Sequence, residues 1–493
     1  MKAMDYRELY CPAHFGNSYE VMGDAEARDV LAEAKRWGFN VYGDWFDAAD
    51  LKDPAHNPKG EYLLPQALIE RKVSTFAIAA ELGLELDLLT TPNHVWLDQL
   101  RGDLLAETSR DKRFFGQLLC PSKPEAREII LRNHEYLFGL LRERGLAVAS
   151  VSACPFDYGG CSCDRCRPWI VTFGKLLLDI RERARAFFPD VAMRLIGWWW
   201  TAEEHDLFRE WADRAAPGSV PAGLRRGKPG AFVSCARHIK YGRTAPEGAV
   251  DLPAGCQEHA FIHIGYADAP EPSDVYGSWG PVIAPNRIPK TVEDLAGRAC
   301  ILARGTDNGQ ETARAGMHAL RTGFVAYSEG VFDDVNKALL AGLASGKFAS
   351  ARAVLEAYAQ RYFGAKGRAR GDWAAWLTQW GAPFEADWAR AAKEFALLSR
   401  KAPTTWRLAQ WESRVRLFEA HGEVMRRKGW GRPRLAAARK YLAEQERLFR
   451  QVWGLGPVRH VMHPRFHRPP WFAEYQAAAG AAGTAGGRRD REA

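Results

Sequence analysis

The sequence predicts an α/β fold: a (β/α)8 barrel of the TIM type with insertions, followed by a mainly α-helical C-terminal region. Eight short apolar segments, most of them followed by an amphipathic helical pattern, occur over about 340 residues, a normal length for such a barrel. Several segments end in acidic and aromatic clusters, as at residues 43–47 and 327–329. No glycine-rich phosphate-binding sequence follows a strand, which disfavours the alternative of an open doubly wound sheet.

The predicted elements alternate between strand and helix along the chain. The strands are expected at residues 7–11, 39–42, 84–89, 146–153, 191–197, 232–237, 260–266 and 324–327. The helices are expected at residues 25–37, 64–82, 124–144, 169–188, 202–215, 312–321 and 333–343. No helix is evident after the sixth strand, so the strand count could be off by one. Residues 267–308 are expected to form a long connection, because they are rich in Pro and Gly.

The fourth strand leads into the loop that we expect to be the centre of the active site. Its apolar run from Leu146 suits a strand buried on both faces of a parallel sheet. Pro155 and the pair Gly159-Gly160 predict a tight loop after the strand, because proline lacks a backbone donor and glycine tolerates a positive φ. Pro168 suits the first turn of the helix that follows. Catalytic residues of barrel enzymes collect at this end of the strands.

Three regions are expected in the chain. Residues 1–345 form the barrel catalytic domain, residues 346–460 a helical domain, and residues 461–493 an extended or disordered tail rich in Ala and Gly. The tryptophan stripe of the helical region (Trp373, Trp376 and Trp380) is expected to pack between helices rather than bind a ligand.

Composition excludes several functional classes. The formal charge of +8 and the pI near 9.0 are modest for 493 residues, and no basic tract or nucleic-acid module is present, so we expect no nucleic-acid partner. No secretory signal and no apolar run of membrane-spanning length is found, so we expect a soluble cytoplasmic protein without a membrane partner. Nine cysteines, thinly spread apart from one cluster, are not a disulfide framework. A homo-oligomer is left open.

Two acids are the candidate catalytic residues. Asp157 lies in the loop after the fourth strand, and Glu329 directly follows the eighth. The fourth and eighth strands face each other across a barrel, so the two carboxylates could flank a glycosidic bond at the wider separation of inverting enzymes. The alternatives are structural: Asp157 could be a turn aspartate, and Glu329 could be a charge at the start of the next helix.

Carboxylates beside exposed indoles are what carbohydrate binding requires, because a sugar ring stacks on an aromatic face while its hydroxyls bond to polar groups. The expected partner is therefore a carbohydrate substrate. The candidate substrate-binding residues are Asp44, Trp45, Trp198, Trp200, Arg237, His263 and Trp279.

Four cysteines near the central loop, namely Cys154, Cys161, Cys163 and Cys166, could bind a structural zinc ion. A disulfide and plain thiols are the alternatives, since the one-residue gap between Cys161 and Cys163 is awkward for chelation. No other cofactor is expected. His259 and His263 share one face of a strand, which leaves open a metal-dependent hydrolase or lyase. A non-catalytic carbohydrate-binding barrel is the third hypothesis.

Two short motifs resemble a known group of proteins. Residues 156–166 (FDYGGCSCDRC) and 327–337 (YSEGVFDDVNK) are similar to glycosidase-like barrels around glycoside hydrolase family 163 and its uncharacterised relatives. The resemblance covers these motifs and the general layout. It implies a glycosidase on a (β/α)8 barrel, with Asp157 and Glu329 at the matching positions, and leaves the sugar open.

Overall fold

The computed structural model describes most of the barrel and most of the helical region. The described residues are 3–13, 19, 22–46, 65–96, 99–107, 118–154, 160–197, 200–215, 232–239, 252–253, 256–264, 272–273, 280–281, 285, 288–297, 323–328, 330, 333–380, 387–451, 469 and 471–489. Among them, no helix combines the length and apolar character that crossing a membrane requires. The chain divides into two compact units. The barrel unit comprises Met1–Ile264, Lys290–Glu329 and Ala344–Lys347, and the helical unit comprises Gly265–Pro289, Gly330–Leu343 and Phe348–Ala493.

Eight parallel strands close into a barrel, as the sequence predicts. The strands are β1 (Tyr6–Tyr10), β2 (Val41–Trp45), β3 (Glu85–Thr90), β4 (Val148–Ala153), β5 (Ala192–Gly197), β6 (Ser234–Ile239), β7 (Gln257–His263) and β8 (Gly323–Tyr327). Each pairs in parallel with its neighbour in the chain, and β8 closes the barrel on β1. The closed order places β4 opposite β8 and β1 opposite β5.

Helices follow most of the strands. They are α1 (Asp24–Trp37), α2 (Pro65–Glu81), α3 (Pro124–Glu143), α4 (Trp169–Phe187), α5 (Ala202–Ala215), α6 (Ile288–Gly297) and α7 (Asp334–Ala344). Two two-residue strands, Pro272–Ser273 and Gly280–Pro281, form a separate antiparallel pair. Within the described residues, no helix lies between β6 and β7.

The helix α4 shows how the sequence fixes these elements. Pro168 stands at its N-cap, where the missing backbone donor costs nothing. Ile170, Phe173, Leu177 and Ile180 recur at helical spacing and are all buried, so one apolar face packs inward.

The described part of the C-terminal region contains six further helices: α8 (Ala351–Phe363), α9 (Arg368–Thr378), α10 (Trp388–Leu398), α11 (Trp406–Met425), α12 (Arg432–Gln451) and α13 (Phe472–Arg489). The tryptophan stripe packs as expected. Trp376 contacts Trp373 and Trp380 at ring-centroid distances of 5.7 and 5.4 Å, and all three side chains are buried.

Two expectations about the connections differ from the structure. The segment expected to be a long Pro- and Gly-rich connection contains α6, because Pro289 stands in the first helical turn, where proline is tolerated. The segment expected to be an extended or disordered tail contains α13, whose many alanines favour helix despite its glycines. The predicted helix at residues 312–321 lies outside the described residues.

The barrel interior is identified by contacts between strands that are not neighbours. The Arg194 guanidinium of β5 lies 4.0 Å from the ring centroid of Tyr6 on β1, the opposite strand. The same Tyr6 ring stacks on His259 of β7 at 4.8 Å. Because side chains alternate along a strand, Glu8 and Tyr10 share the inward face of β1 with Tyr6.

Candidate active site

The C-terminal end of the barrel interior carries an aromatic floor, which we define as Tyr10, Phe261, His263 and Tyr327. The Tyr327 ring lies 4.6 Å from the His263 ring and 5.3 Å from the Tyr10 ring, measured between centroids. Phe261 lies 5.7 Å from Tyr327 and 6.1 Å from Tyr10. Such tilted and edge-to-face pairs are favourable and hold the rings in place. The strands β1, β7 and β8 thus hold a packed, buried group of aromatic rings toward the end where barrel enzymes bind substrates.

The chain just after β8 is tied to this floor. The backbone N–H of Ser328 donates to the carbonyl oxygen of Tyr10 over 2.9 Å. The Ser328 hydroxyl lies 2.8 Å from the Tyr19 hydroxyl, and both side chains are buried. Ser328 is therefore fixed by two hydrogen bonds immediately before Glu329 in the sequence.

A polar layer lies below the aromatic floor, toward the middle of the strands. We define it as Tyr6, Glu8, Asp87, Arg194 and His259. The Tyr6 hydroxyl donates to Glu8 Oε2 over 2.8 Å. A side chain at Gly43 would collide with Glu8, because its Cβ would lie 2.0 Å from Glu8 Oε1. Glycine at this position in β2 therefore makes room for the buried carboxyl group.

Asp87 of β3 is held by hydroxyl donors on the next strand. Ser150 donates to Oδ1 over 2.6 Å, and Ser152 donates to Oδ2 over 2.5 Å. Ser234 of β6 accepts a hydrogen bond from Arg194 Nη1 over 2.8 Å. These serines line the barrel wall and orient the charged members of the polar layer.

Burial governs the protonation of the polar layer. The pKa of Glu8 is raised well above its ordinary value by burial first and then by the nearby charge of Asp87. Burial also raises the pKa of Asp87, against the opposing effect of Arg194 and the serine donors. The pKa of His259 is lowered well below its usual range by burial and by Arg194, so its imidazole is neutral at pH 7. The Glu8–Asp87 pair therefore holds a proton more tightly than exposed carboxyls do.

Asp44, a predicted substrate-binding residue, forms a buried ion pair. Its Oδ1 atom accepts from Lys72 Nζ over 2.9 Å, and both side chains are almost fully buried between β2 and α2. The backbone N–H groups of Ala13 and Trp45 donate to the same oxygen. Asp44 is thus an internal ion-pair residue of the barrel wall, and its contacts give no support to a substrate-binding role.

The other predicted binding residues separate into three groups. Trp45 is buried at the end of β2 and, by strand alternation, is on the opposite face from Asp44. His263 belongs to the aromatic floor. Trp200 packs instead against helices α4 and α5, with ring centroids 6.1 Å from Phe173 and 5.4 Å from Phe208.

The remaining candidates are not described at the level of side chains. Arg237 lies in β6, and only its backbone is described. The residues Asp157, Trp198, Trp279 and Glu329 lie outside the described residues.

The cysteine cluster differs from the expected set in one member. Cys161, Cys163 and Cys166 come together as expected, but Cys120 joins them in place of Cys154, and the four sulfur atoms lie within 4.8 Å of one another. The Cys120 sulfur lies 3.7 Å from that of Cys163 and 3.5 Å from that of Cys166. A hydrogen bond from Cys166 lowers the pKa of Cys161 to about 5, and the same bond raises the pKa of Cys166.

Sequence reasoning missed Glu8, Asp87, Arg194 and Cys120. The polar residues Glu8 and Asp87 occupy alternate positions in short strands, a pattern that usually indicates a solvent-facing side. The available signal was the barrel prediction itself, because in a barrel one side of each strand faces the interior. Cys120 precedes a helix far from the other cysteines in the sequence, and only the fold brings it close.

The described residues contain one group of potential metal ligands, the four cysteines. The histidines His259 and His263 belong to the polar layer and the aromatic floor respectively. The geometry gives no support to a metal site built on this pair within the described part of the chain.

Comparison with known proteins yields structural likenesses alone. No protein-family profile and no curated protein matches the sequence. Solved structures with a likeness include CpGH84B, with a TM-score of 0.47 and 11% identity, covering 92% of this chain and 74% of that chain. An O-GlcNAc hydrolase from Thermobaculum terrenum has a TM-score of 0.44 and 9% identity, covering 91% of this chain and 84% of that chain. A GH138 enzyme targeting pectin rhamnogalacturonan II has a TM-score of 0.46 and 9% identity, covering 91% of this chain and 62% of that chain.

These three structures are glycoside hydrolases. Their identities are 9–11% and their TM-scores are below 0.5. At such values no activity, substrate or residue role transfers from those proteins to this chain.

Proposed function

We propose that this protein is a glycoside hydrolase that uses Asp157 and Glu329 at the C-terminal end of the barrel. One observation carries the proposal: in the closed strand order, β4 and β8 are opposite each other. Asp157 comes four residues after the last residue of β4, and Glu329 comes two residues after the last residue of β8. Acids that follow opposite strands of a barrel are suited to flank one bond of a substrate bound in the mouth.

The proposed reaction is acid–base hydrolysis. One acid donates its proton to the leaving glycosidic oxygen as the bond from that oxygen to the sugar carbon breaks. The other acts either as a base that takes a proton from the attacking water or as a nucleophile that forms a glycosyl intermediate. The donor needs a raised pKa, which an apolar, aromatic surrounding supplies by desolvation.

The aromatic floor supports a carbohydrate as the substrate. Tyr10, His263 and Tyr327 are packed together and buried, and we propose that they form the base on which the sugar site is built, since aromatic rings with polar tips suit carbohydrates. Trp45, Trp198, Trp279 and Arg237 are proposed to extend this surface. We also propose that the protein is related to the group around glycoside hydrolase family 163, and this part of the proposal rests on the two sequence motifs.

The test is turnover of a panel of neutral and acidic aryl glycosides by the wild-type protein, Asp157→Asn and Glu329→Gln. We expect each substitution to lower kcat/KM by about 10²–10⁴-fold, because each removes a group that transfers a proton or attacks the sugar. Glu182→Gln is the matched control, since Glu182 is an exposed helix carboxylate and its loss should leave turnover unchanged. Far-UV circular dichroism checks that all variants fold.

Three outcomes are informative. Wild-type turnover in both acid variants would exclude these residues from catalysis. Binding of sugars without turnover of any substrate would favour a non-catalytic carbohydrate-binding barrel. Recovery of turnover by azide in Glu329→Ala or Asp157→Ala, with a glycosyl azide as the product, would identify the nucleophile or base, because azide replaces the missing carboxylate.

A further inference from the structure

The four clustered cysteines have the spacing of a metal centre. Zinc–sulfur bonds of about 2.3 Å in a tetrahedron place neighbouring sulfurs about 3.8 Å apart. The measured sulfur separations of 3.7 and 3.5 Å from Cys120 to Cys163 and Cys166 are close to that value. A disulfide would bring two sulfurs to about 2.05 Å, and none of these four cysteines forms one.

We propose that Cys120, Cys161, Cys163 and Cys166 bind one Zn²⁺ ion in a closed structural site. Four protein thiolates complete the tetrahedral coordination and leave no position for water or substrate, which separates a structural zinc from a catalytic one. Three of the ligands are fully buried and Cys163 is half-buried. The site is independent of the proposed hydrolysis, whose two carboxylates need no metal.

The surroundings are built to hold the sulfurs in place. Ser122 Oγ lies 3.0 Å from the sulfur of Cys166 and donates to the carbonyl oxygen of Arg165. The backbone N–H of Ser162 donates to the carbonyl oxygen of Glu107 over 2.7 Å. Hydrogen bonds of this outer kind orient metal ligands.

The backbone of the loop that carries three of the cysteines lies close to a tryptophan ring at Gly160. Gly160 has a φ of +78°, and a Cβ there would lie 2.1 Å from Cε2 of Trp169. Trp169 in turn packs against the cysteine cluster. Glycine is required next to Cys161 so that the ligand loop can lie against the start of α4.

The ion would join two segments that are distant in sequence. Cys120 lies just before α3, whereas the other three ligands lie between β4 and α4. Coordination of one ion by both segments would tie them together in the folded chain, and because the unfolded chain holds no preformed site, the binding free energy would add to the free energy of folding. The β4–α4 loop, which also contains Asp157, is the part of the barrel that the ion would anchor.

The test is the zinc content of the full-length protein, purified without chelator and measured by mass spectrometry of the metals. We expect about one Zn²⁺ per chain in the wild type and a loss of more than about fivefold in Cys120→Ser and Cys166→Ser. Cys154→Ser is the matched control, because Cys154 is buried near the same loop but lies outside the group of four, and it should retain its zinc.

A second measurement covers the case in which a serine variant fails to fold. Co²⁺ exchanged into the wild-type protein should show the intense visible bands of a tetrahedral thiolate site together with sulfur-to-metal charge transfer. Loss of zinc from Cys154→Ser with retention in Cys120→Ser would overturn the ligand assignment. Iron in place of zinc, a wild type that is metal-free and does not take up Co²⁺, or disulfide-linked peptides among these cysteines would each overturn the zinc proposal.

Discussion

The pKa values of two buried aspartates, one in each compact unit, are shifted from the ordinary value in opposite directions. In the barrel unit, burial raises the pKa of Asp44 above its ordinary value although Lys72 lies beside it. In the helical unit, burial also acts to raise the pKa of Asp334, but Arg407, Lys337 and Tyr358 together outweigh burial and the pKa is lowered. Burial acts to raise the pKa of both carboxyls, and the two differ clearly in the partners that act against burial.

The two sets of partners differ in how many oxygens they satisfy. All three donors to Asp44, which are Lys72 and the backbone N–H groups of Ala13 and Trp45, converge on Oδ1. Oδ2 has no hydrogen-bond partner among the described residues. One compact ammonium group therefore has to offset the burial of a whole carboxylate, and it does so only in part.

Asp334 has donors on both oxygens. Arg407 donates from Nε to Oδ2 over 2.8 Å and from Nη2 to Oδ1 over 3.1 Å, and Tyr358 donates to Oδ2 over 2.8 Å. Lys337 adds a second positive charge nearby. A bidentate guanidinium with a further hydroxyl donor thus stabilises the ionised form even inside the protein. The comparison indicates that hydrogen-bond donors on both carboxylate oxygens decide whether burial raises the pKa or the partners lower it.

The largest expected effect is that of Arg407→Met. Removal of the guanidinium leaves the buried Asp334 carboxylate without its main cationic partner. We therefore expect a loss of about 3–5 kcal/mol in the free energy of unfolding at pH 7. In the wild type, the lowered pKa of Asp334 means that its contribution is present above about pH 4 and is lost as the pH falls through the folded-state pKa. In the variant, burial without the guanidinium should raise the pKa of Asp334 instead, so the carboxyl takes up a proton as the pH falls and the variant recovers part of its loss between pH 7.5 and pH 4.5, as measured by urea unfolding. An equal loss at pH 4.5 and pH 7.5 would contradict the ionic explanation.

Lys72→Met should produce a smaller loss, of about 2–3 kcal/mol at pH 7, because Asp44 already has a raised pKa and becomes protonated more readily. The pH dependence has the opposite sign to that of Asp334. Because the folded-state pKa of Asp44 is raised, its contribution to the free energy of unfolding of the wild type falls as the pH rises from about 4 through that pKa. Urea unfolding should show the variant recovering stability on acidification. The exposed pair of Arg28 and Glu81 provides the control, since Arg28→Met should cost at most about 1 kcal/mol.

The sequence predicts the barrel because its strands carry strong local signals. The run that forms β4 is apolar and bounded by Pro155, and Tyr327 closes an apolar segment before Ser328. Each strand has its own pattern of apolar residues and turn signals, so errors in one prediction do not spread to the others. The observed bounds accordingly differ from the expected ones by a few residues only, with the largest shift at β7.

The sites were harder to predict because they depend on contacts across the fold. Asp44 follows the expected pattern of an acid near the end of a strand, yet alternation places it toward Lys72 of α2. Cys120 carries no local pattern and becomes a ligand candidate only when α3 and the β4–α4 loop are brought together. Glu8 is an ordinary polar residue in the sequence, and its room inside the barrel depends on Gly43 of the neighbouring strand, a contact that the sequence does not show.

Tyr358→Phe gives the smallest effect and the sharpest test of the comparison. It removes the hydroxyl donor from Oδ2 of Asp334 while Arg407 still donates to both oxygens. We expect a loss of about 1 kcal/mol at pH 7, the usual cost of one buried hydrogen bond, together with a rise in the pKa of Asp334 toward that of Asp44. Unfolding free energies measured from pH 2 to pH 7 should therefore show a smaller acid-induced loss of stability than in the wild type, complete at a higher pH, because the folded-state pKa of Asp334 lies closer to its unfolded value. Tyr136→Phe, at an exposed position, should leave both quantities unchanged. If Tyr358→Phe lowers stability with an unchanged pH dependence, the hydroxyl contributes by packing alone, and Arg407 by itself accounts for the lowered pKa of Asp334.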